Sequence, residues 1–72
     1  MKKVYRMEDL ECANCAAKME TAISKLEGVE SANIQFMAGK LTISAEDHLF
    51  GAIMDQAQAI VRKIEPDCRI VM

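Results

Sequence analysis

Apolar and polar residues alternate in four short stretches of this chain and recur at helical spacing in two longer ones. In Val4–Glu8, Tyr5 and Met7 share one face and Val4 and Arg6 the other, the period of a half-buried strand. From Cys15 onward the apolar residues fall at Ala16, Met19, Ile23 and Leu26, with Lys18, Glu20 and Lys25 turned outward. Steps of three and four predict an amphipathic helix, and Gly28 is the expected C-cap. Ala32, Ile34 and Phe36 alternate with Asn33 and Gln35, residues 37–40 read as a hairpin turn, and Leu41, Ile43 and Ala45 alternate with Thr42 and Ser44 on the return strand. Asp47 is the expected N-cap of a second helix from about Leu49 to Ile64, with Leu49, Ile53, Ala57, Ile60, Val61 and Ile64 as its apolar stripe and Pro66 as its stop. Cys68, Ile70 and Met72 then alternate with Arg69 and Val71 in a last strand.

The order β-α-β-β-α-β predicts an α+β, ferredoxin-like sandwich: a four-stranded antiparallel sheet with two helices on one face and right-handed crossovers. One domain is expected to span residues 1–72, with no repeat, linker or low-complexity segment. In this topology the loop after the first strand and the loop before the last lie at the same end of the sheet. Cys12-Ala13-Asn14-Cys15 should therefore sit near Glu65-Pro66-Asp67-Cys68.

Composition narrows the function classes. About half of the 72 residues are apolar. A chain this short buries only roughly 60% of its unfolded surface, so a core is within reach and a deep substrate cavity is not. The net charge is −2, the aromatic residues are Tyr5, Phe36 and Phe50, and there is no Trp, which argues against a nucleic-acid partner. No apolar run approaches the ~20 residues of a membrane span, so no membrane insertion by this segment is expected. The basic start, Met1 to Arg6, has no apolar stretch behind it and does not read as a signal peptide, which makes a cytoplasmic location the expectation. Thiols stay reduced there, and three cysteines do not form a disulfide framework.

The candidate chemistry lies in Cys12 and Cys15. Two thiols at this spacing, on a loop running into a helix, can close on one soft metal ion or on each other. Both outcomes need the thiolate, which the unpaired N–H groups and dipole of a first helical turn stabilise. A thioredoxin-type site belongs to a longer chain and has Trp beside the pair and Pro within it. A zinc ribbon needs four ligands, usually from two such pairs. Incidental structural cysteines are usually buried on an apolar stripe, whereas these straddle a loop. An open metal site of low coordination number is the reading these contrasts favour; dithiol redox use is the alternative from another class.

The stretch Leu10-Glu11-Cys12-Ala13-Asn14-Cys15-Ala16-Ala17-Lys18-Met19-Glu20, set in this order of elements, resembles a heavy-metal-associated domain, and the resemblance covers essentially the whole chain. The family motif is usually Gly-Met-x-Cys-x-x-Cys; here Asp9 stands for the Gly and Leu10 for the Met. Leu conserves volume, and Asp tolerates unusual backbone angles better than most residues. Glu11 directly before the first Cys, and Ile64-Glu65-Pro66-Asp67 before the last strand, are similar to zinc-, cadmium- and lead-transporting P-type ATPases rather than to copper modules. The resemblance implies a metal-binding domain that is not itself a catalyst, with Cys12, Cys15 and Glu11 as ligands of Zn(II), Cd(II) or Pb(II), and Cu(I) as the alternative cargo of a free-standing metallochaperone. The expected partners are the ion and the remaining domains of a membrane ATPase from which this segment, ending at Met72, is excised; the domain itself is expected to be a monomer. Glu65, Asp67 and Cys68 are further candidate donors, Cys68 reading better as a small buried hydrophobe. His48, at the far end of the fold, is a poor one. The six Met residues form no thioether cluster.

Overall fold

The strand with the strictest alternation lies inside the sheet. In the computed structural model, which describes residues 1–71, β3 (Lys40–Ala45) buries Leu41, Ile43 and Ala45 completely and turns Lys40, Thr42 and Ser44 to the other face. It pairs antiparallel with β1 (Lys2–Glu8) on one side and β2 (Val29–Gln35) on the other, and β4 (Arg69–Val71) pairs antiparallel with the free side of β1. The order β2-β3-β1-β4 is the ferredoxin-like arrangement expected from the element pattern. Register places Tyr5 opposite Leu41 and Met7 opposite Ile70, so the inward residues of three strands meet on one surface.

Two helices cover that surface, α1 (Ala13–Ser24) and α2 (Phe50–Ile64). Met19 and Ile23 from α1, Ile53, Ala57 and Val61 from α2, and Leu41, Ile43 and Ile70 from the sheet form one core. Each large aliphatic side chain so buried contributes on the order of 1.5–3 kcal/mol. Phe50 and Met54 join this core although the α2 stripe read from the sequence leaves them out. Lys3 lies over the Phe50 ring, 4.7 Å from its centre. Glu20 does not simply face outward: it is half-buried, and its Oε2 accepts a 2.7 Å bond from the Ile34 N–H on the β2 edge.

Three local expectations change. Gly28 is not the C-cap of α1. The helix closes earlier, in a tightened turn where Lys25 N–H donates to Ala22 O and Leu26 N–H to Ile23 O, and Gly28 takes φ +93° in the turn beyond. Asp47 is not the N-cap of α2. A short 3₁₀ turn, Asp47–Leu49, intervenes, closed by the Leu49 N–H on Glu46 O, and Asp47 pairs with Lys3 at 3.5 Å instead. Phe36 falls in the hairpin turn rather than in β2. Cys68 precedes β4 but points inward with Ile70, as its alternation implies; Met72 lies outside the described residues.

Candidate metal centre

The cysteine loop leaves β1 through a backbone reversal at Asp9, the one non-glycine residue with positive φ (+58°) among those described. This is the left-handed region that L-residues avoid and that Asp and Asn visit more readily than most, which is how the chain accepts Asp where the motif has Gly. Leu10 is half-buried against the core and anchors the loop from below.

Cys12 is the N-cap of α1. Its backbone is extended (φ −115°, ψ 113°), its carbonyl accepts the first helical bond from Ala16 N–H at 3.0 Å, and its Sγ accepts from Cys15 N–H at 3.2 Å. A sulfur thus occupies the position where Ser or Asp oxygen usually satisfies a first-turn N–H. The neighbouring Cys15 thiol, then the N–H groups of Cys15 and Asn14, pull the Cys12 thiol below its ordinary pKa. The same contact acts in the opposite sense on Cys15, whose thiol is pushed up first by its bond to Cys12 and then by burial. The opposite directions of the two shifts make Cys12 the more acidic thiol of the pair. Both are half-buried and reachable, and no disulfide joins them.

The topology delivers the second loop as expected. Glu65 ends α2, donating its N–H to Val61 O at 2.9 Å and accepting from Cys68 N–H at 3.0 Å. Its side chain is unusual: Oε2 is buried and has no hydrogen-bond partner among the described residues. Its negative charge opposes ionisation of Cys12, Cys15 and Cys68, as a minor cause at the first two and second to burial at Cys68, so the carboxylate lies within electrostatic reach of the thiols. Cys68 is fully buried, and burial, then Glu65 and Asp9, push its thiol up to about 11. It is a neutral core side chain. Glu11 is exposed, with no hydrogen bond or ion pair among the described residues, and Asp67 is exposed after Pro66. His48 sits at 3.6 Å from Glu46 in the 3₁₀ turn after β3, where Ala45 N–H meets Met1 O at the opposite end of β1 from the thiols.

Among the described residues, no three His, Cys, Asp or Glu side chains already converge as a ligand set. The thiols are assembled, and any carboxylate donor must swing in. The sequence pointed first to Glu11, with Glu65 as a further candidate from the loop that topology brings near the cysteines; the orphaned oxygen belongs to Glu65.

An accessible thiol pair at a helix start is suited to taking and releasing a soft cation, and the class that this fold and loop define is a small metal-binding domain. Residues 4–68 match the model of the heavy-metal-associated domain, and the chain belongs to that family. It is 47% identical over 45 residues to a "Probable cadmium-transporting ATPase" of Listeria monocytogenes, a match covering 62% of this chain and 6% of that protein. It is 29% identical over 66 residues to the "Cadmium, zinc and cobalt-transporting ATPase" of Bacillus subtilis (strain 168), covering 92% of this chain and 9% of that one. The chain therefore spans less than a tenth of the length of these relatives. Among solved structures, the "CopZ metallochaperone" superposes with a TM-score of 0.74 at 18% identity, covering 99% of this chain and 100% of the other, a likeness of fold. No helix among the described residues is long and apolar enough to cross a membrane.

Proposed function

We propose that this domain binds one Zn(II), Cd(II) or Pb(II) ion as the cytosolic metal-binding part of a cation-transporting P-type ATPase, and passes it on by ligand exchange. The observation that carries the reading is the Cys12 Sγ serving as the α1 N-cap with its thiol pKa lowered, beside a buried carboxylate oxygen that no hydrogen bond satisfies. Two thiolates neutralise a divalent ion but leave its shell incomplete, since Zn(II) and its heavier relatives take further donors. Glu11, adjoining Cys12 in sequence, and Glu65, within electrostatic reach of the thiols, would supply the oxygen donors. Cadmium- and zinc-transporting relatives support the divalent class. The domain itself performs no chemistry; it is a monomer whose partners are the ion and the rest of the transporter.

Binding proceeds by exchange of a proton for a metal. The ion meets the Cys12 thiolate first, Cys15 loses its proton to solvent as the second bond forms, and a carboxylate closes the shell. The steps run in reverse toward an acceptor thiol. The test is titration of the reduced domain with Cd(II), read by thiolate-to-metal charge-transfer absorption. One ion per chain is expected, abolished in the Cys12→Ser/Cys15→Ser double mutant while its circular dichroism stays unchanged. Retained binding in the double mutant, or tight binding of Cu(I) with none of Cd(II), would overturn the assignment.

A further inference from the structure

β4 is only three residues long and forms one edge of the sheet, paired on a single side through Arg6↔Val71, Met7↔Ile70 and Glu8↔Arg69. Strands that short and one-sided hold their place weakly. Gln58, half-buried on α2, reaches across to its free side: Nε2 donates to Ile70 O at 2.8 Å, and Oε1 accepts from Ile70 N–H at 2.8 Å. The carboxamide stands where the peptide group of a further strand would be. Ile70 is two residues from Cys68, whose N–H bonds Glu65 O and so closes the turn that carries the orphaned carboxylate. Gln58, Cys68 and Ile70 also line one side of a cleft of about 330 Å³ with Pro66 and Asp67. The turn thus has two anchors, pairing with β1 on one side and one glutamine on the other.

We infer that Gln58 is a positioning residue for divalent-metal binding: by clamping both backbone groups of Ile70 it holds the 65–68 turn, and with it Glu65, against the thiol loop. Metal preference then depends in part on a side chain that never touches the metal. Cu(I), content with two thiolates, has no need of the clamp; a divalent ion using Glu65 does. The inference rests on Glu65 being a donor.

The test uses Gln58→Leu, which removes both bonds, and Gln58→Glu, which keeps the acceptor for Ile70 N–H and loses the donor. In the metal-free protein, loss of two neutral hydrogen bonds should speed amide exchange at Ile70 and alkylation of Cys68 by about tenfold, with Ile23 in α1 unaffected. Cd(II) affinity should fall roughly three- to tenfold with Cu(I) affinity unchanged, and Gln58→Glu should lie between wild type and Gln58→Leu. The deciding step is the double-mutant cycle with Glu65→Gln: an effect carried through Glu65 disappears when Glu65 is already replaced. A loss of Cd(II) affinity that persists in the Glu65→Gln background overturns the inference, as do unchanged Ile70 exchange and Cys68 alkylation. If Glu65→Gln alone weakens Cd(II) binding and the Gln58 variants do not, the clamp is refuted and the donor stands. If Glu65→Gln alone has no effect, the donor assignment falls and takes the positioning role with it.

Discussion

Replacing Glu65 by Gln separates the divalent site from a two-thiolate site more sharply than any change at the cysteines. The substitution keeps size and removes a charge from a carboxylate whose Oε2 is buried and unpartnered and whose field opposes thiolate formation at Cys12 and Cys15. Two effects of opposite sign follow. Without the carboxylate, the thiols become more acidic, which favours any metal that needs thiolates. A divalent ion, however, loses an anionic donor, and one charge-assisted interaction is worth on the order of 1.5–3 kcal/mol, or about one to two decades in affinity. For Cd(II) the second effect is the larger, because the thiol effect is a correction to proton competition at groups that remain reachable from solvent. For Cu(I) only the first effect operates. Glu65→Gln should therefore weaken Cd(II) binding by about one to two decades and leave Cu(I) binding unchanged or tighter.

The assay is a pair of competition titrations against chelators of known affinity, one for each oxidation class, on wild type and mutant in parallel. A thiol titration of the metal-free mutant serves as the internal control, since Cys12, Cys15 and Cys68 should all ionise more easily. Cd(II) affinity that holds or rises while the thiols become more acidic would show that Glu65 only perturbs the pair. The orphaned oxygen would then be a structural accident, and Glu11 and Asp67 would be left as the carboxylate candidates.

Glu11→Thr should also weaken divalent binding by up to one or two decades and spare Cu(I); equal losses for both classes in parallel titrations would remove Glu11 from the site. Cys68→Ala should leave Cd(II) affinity within about threefold, ~0.7 kcal/mol, and a hundredfold fall would make Cys68 a third thiolate. Because burial raises the Cys68 thiol to about 11, the stability gained by keeping it neutral is fully present below the ordinary thiol pKa of 9.0 and is lost as pH rises through about 11. Denaturant midpoints of wild type and Cys68→Ala should accordingly converge over that window, and parallel curves would refute it. Gly28→Ala puts a Cβ at φ +93° and 2.9 Å from Leu49 Cδ1, which should cost on the order of 1–2 kcal/mol in urea unfolding.

Periodic features were the ones the sequence exposed. The Leu41–Ile43–Ala45 alternation and the Met19–Ile23 and Ile53–Ala57–Val61 stripes specify which face is buried, and a slip by one residue would expose them. The cysteine spacing is read directly from the chain, and the shared end of the two loops follows from the element order. What stayed hidden was contact between a side chain and a distant backbone. Glu20 reads as an outward residue of its helix and Gln58 lies outside the apolar stripe of the second, and only the tertiary placement of the sheet edges gives them partners. Asp47 carried an N-cap signal that the 3₁₀ turn overrode, and Phe50 and Met54 fell outside a stripe that helical packing widened.

The pairing of a thiol N-cap with an unpartnered carboxylate bears on release as much as on capture. A site with every donor preassembled would bind tightly and let go slowly. Here the Cys12 sulfur already accepts a bond from Cys15 N–H without metal, which makes its thiolate easier to form. If the domain passes its ion on as proposed, that bond would hold the loop's shape as the ion leaves, and exchange would need little refolding. Cys15 holds its proton more firmly, so under the proposed function the second thiolate bond would form against proton competition and would break when an acceptor thiolate competes for the ion. The carboxylate adds affinity without adding a third sulfur, and oxygen donors yield more easily than thiolates to an incoming soft ligand. The chain has a third cysteine, Cys68, at the end of the turn that carries Glu65, yet buries it with its thiol pushed up to about 11. On this reading, affinity is held below what three sulfurs would give, as transfer to a second thiol site requires.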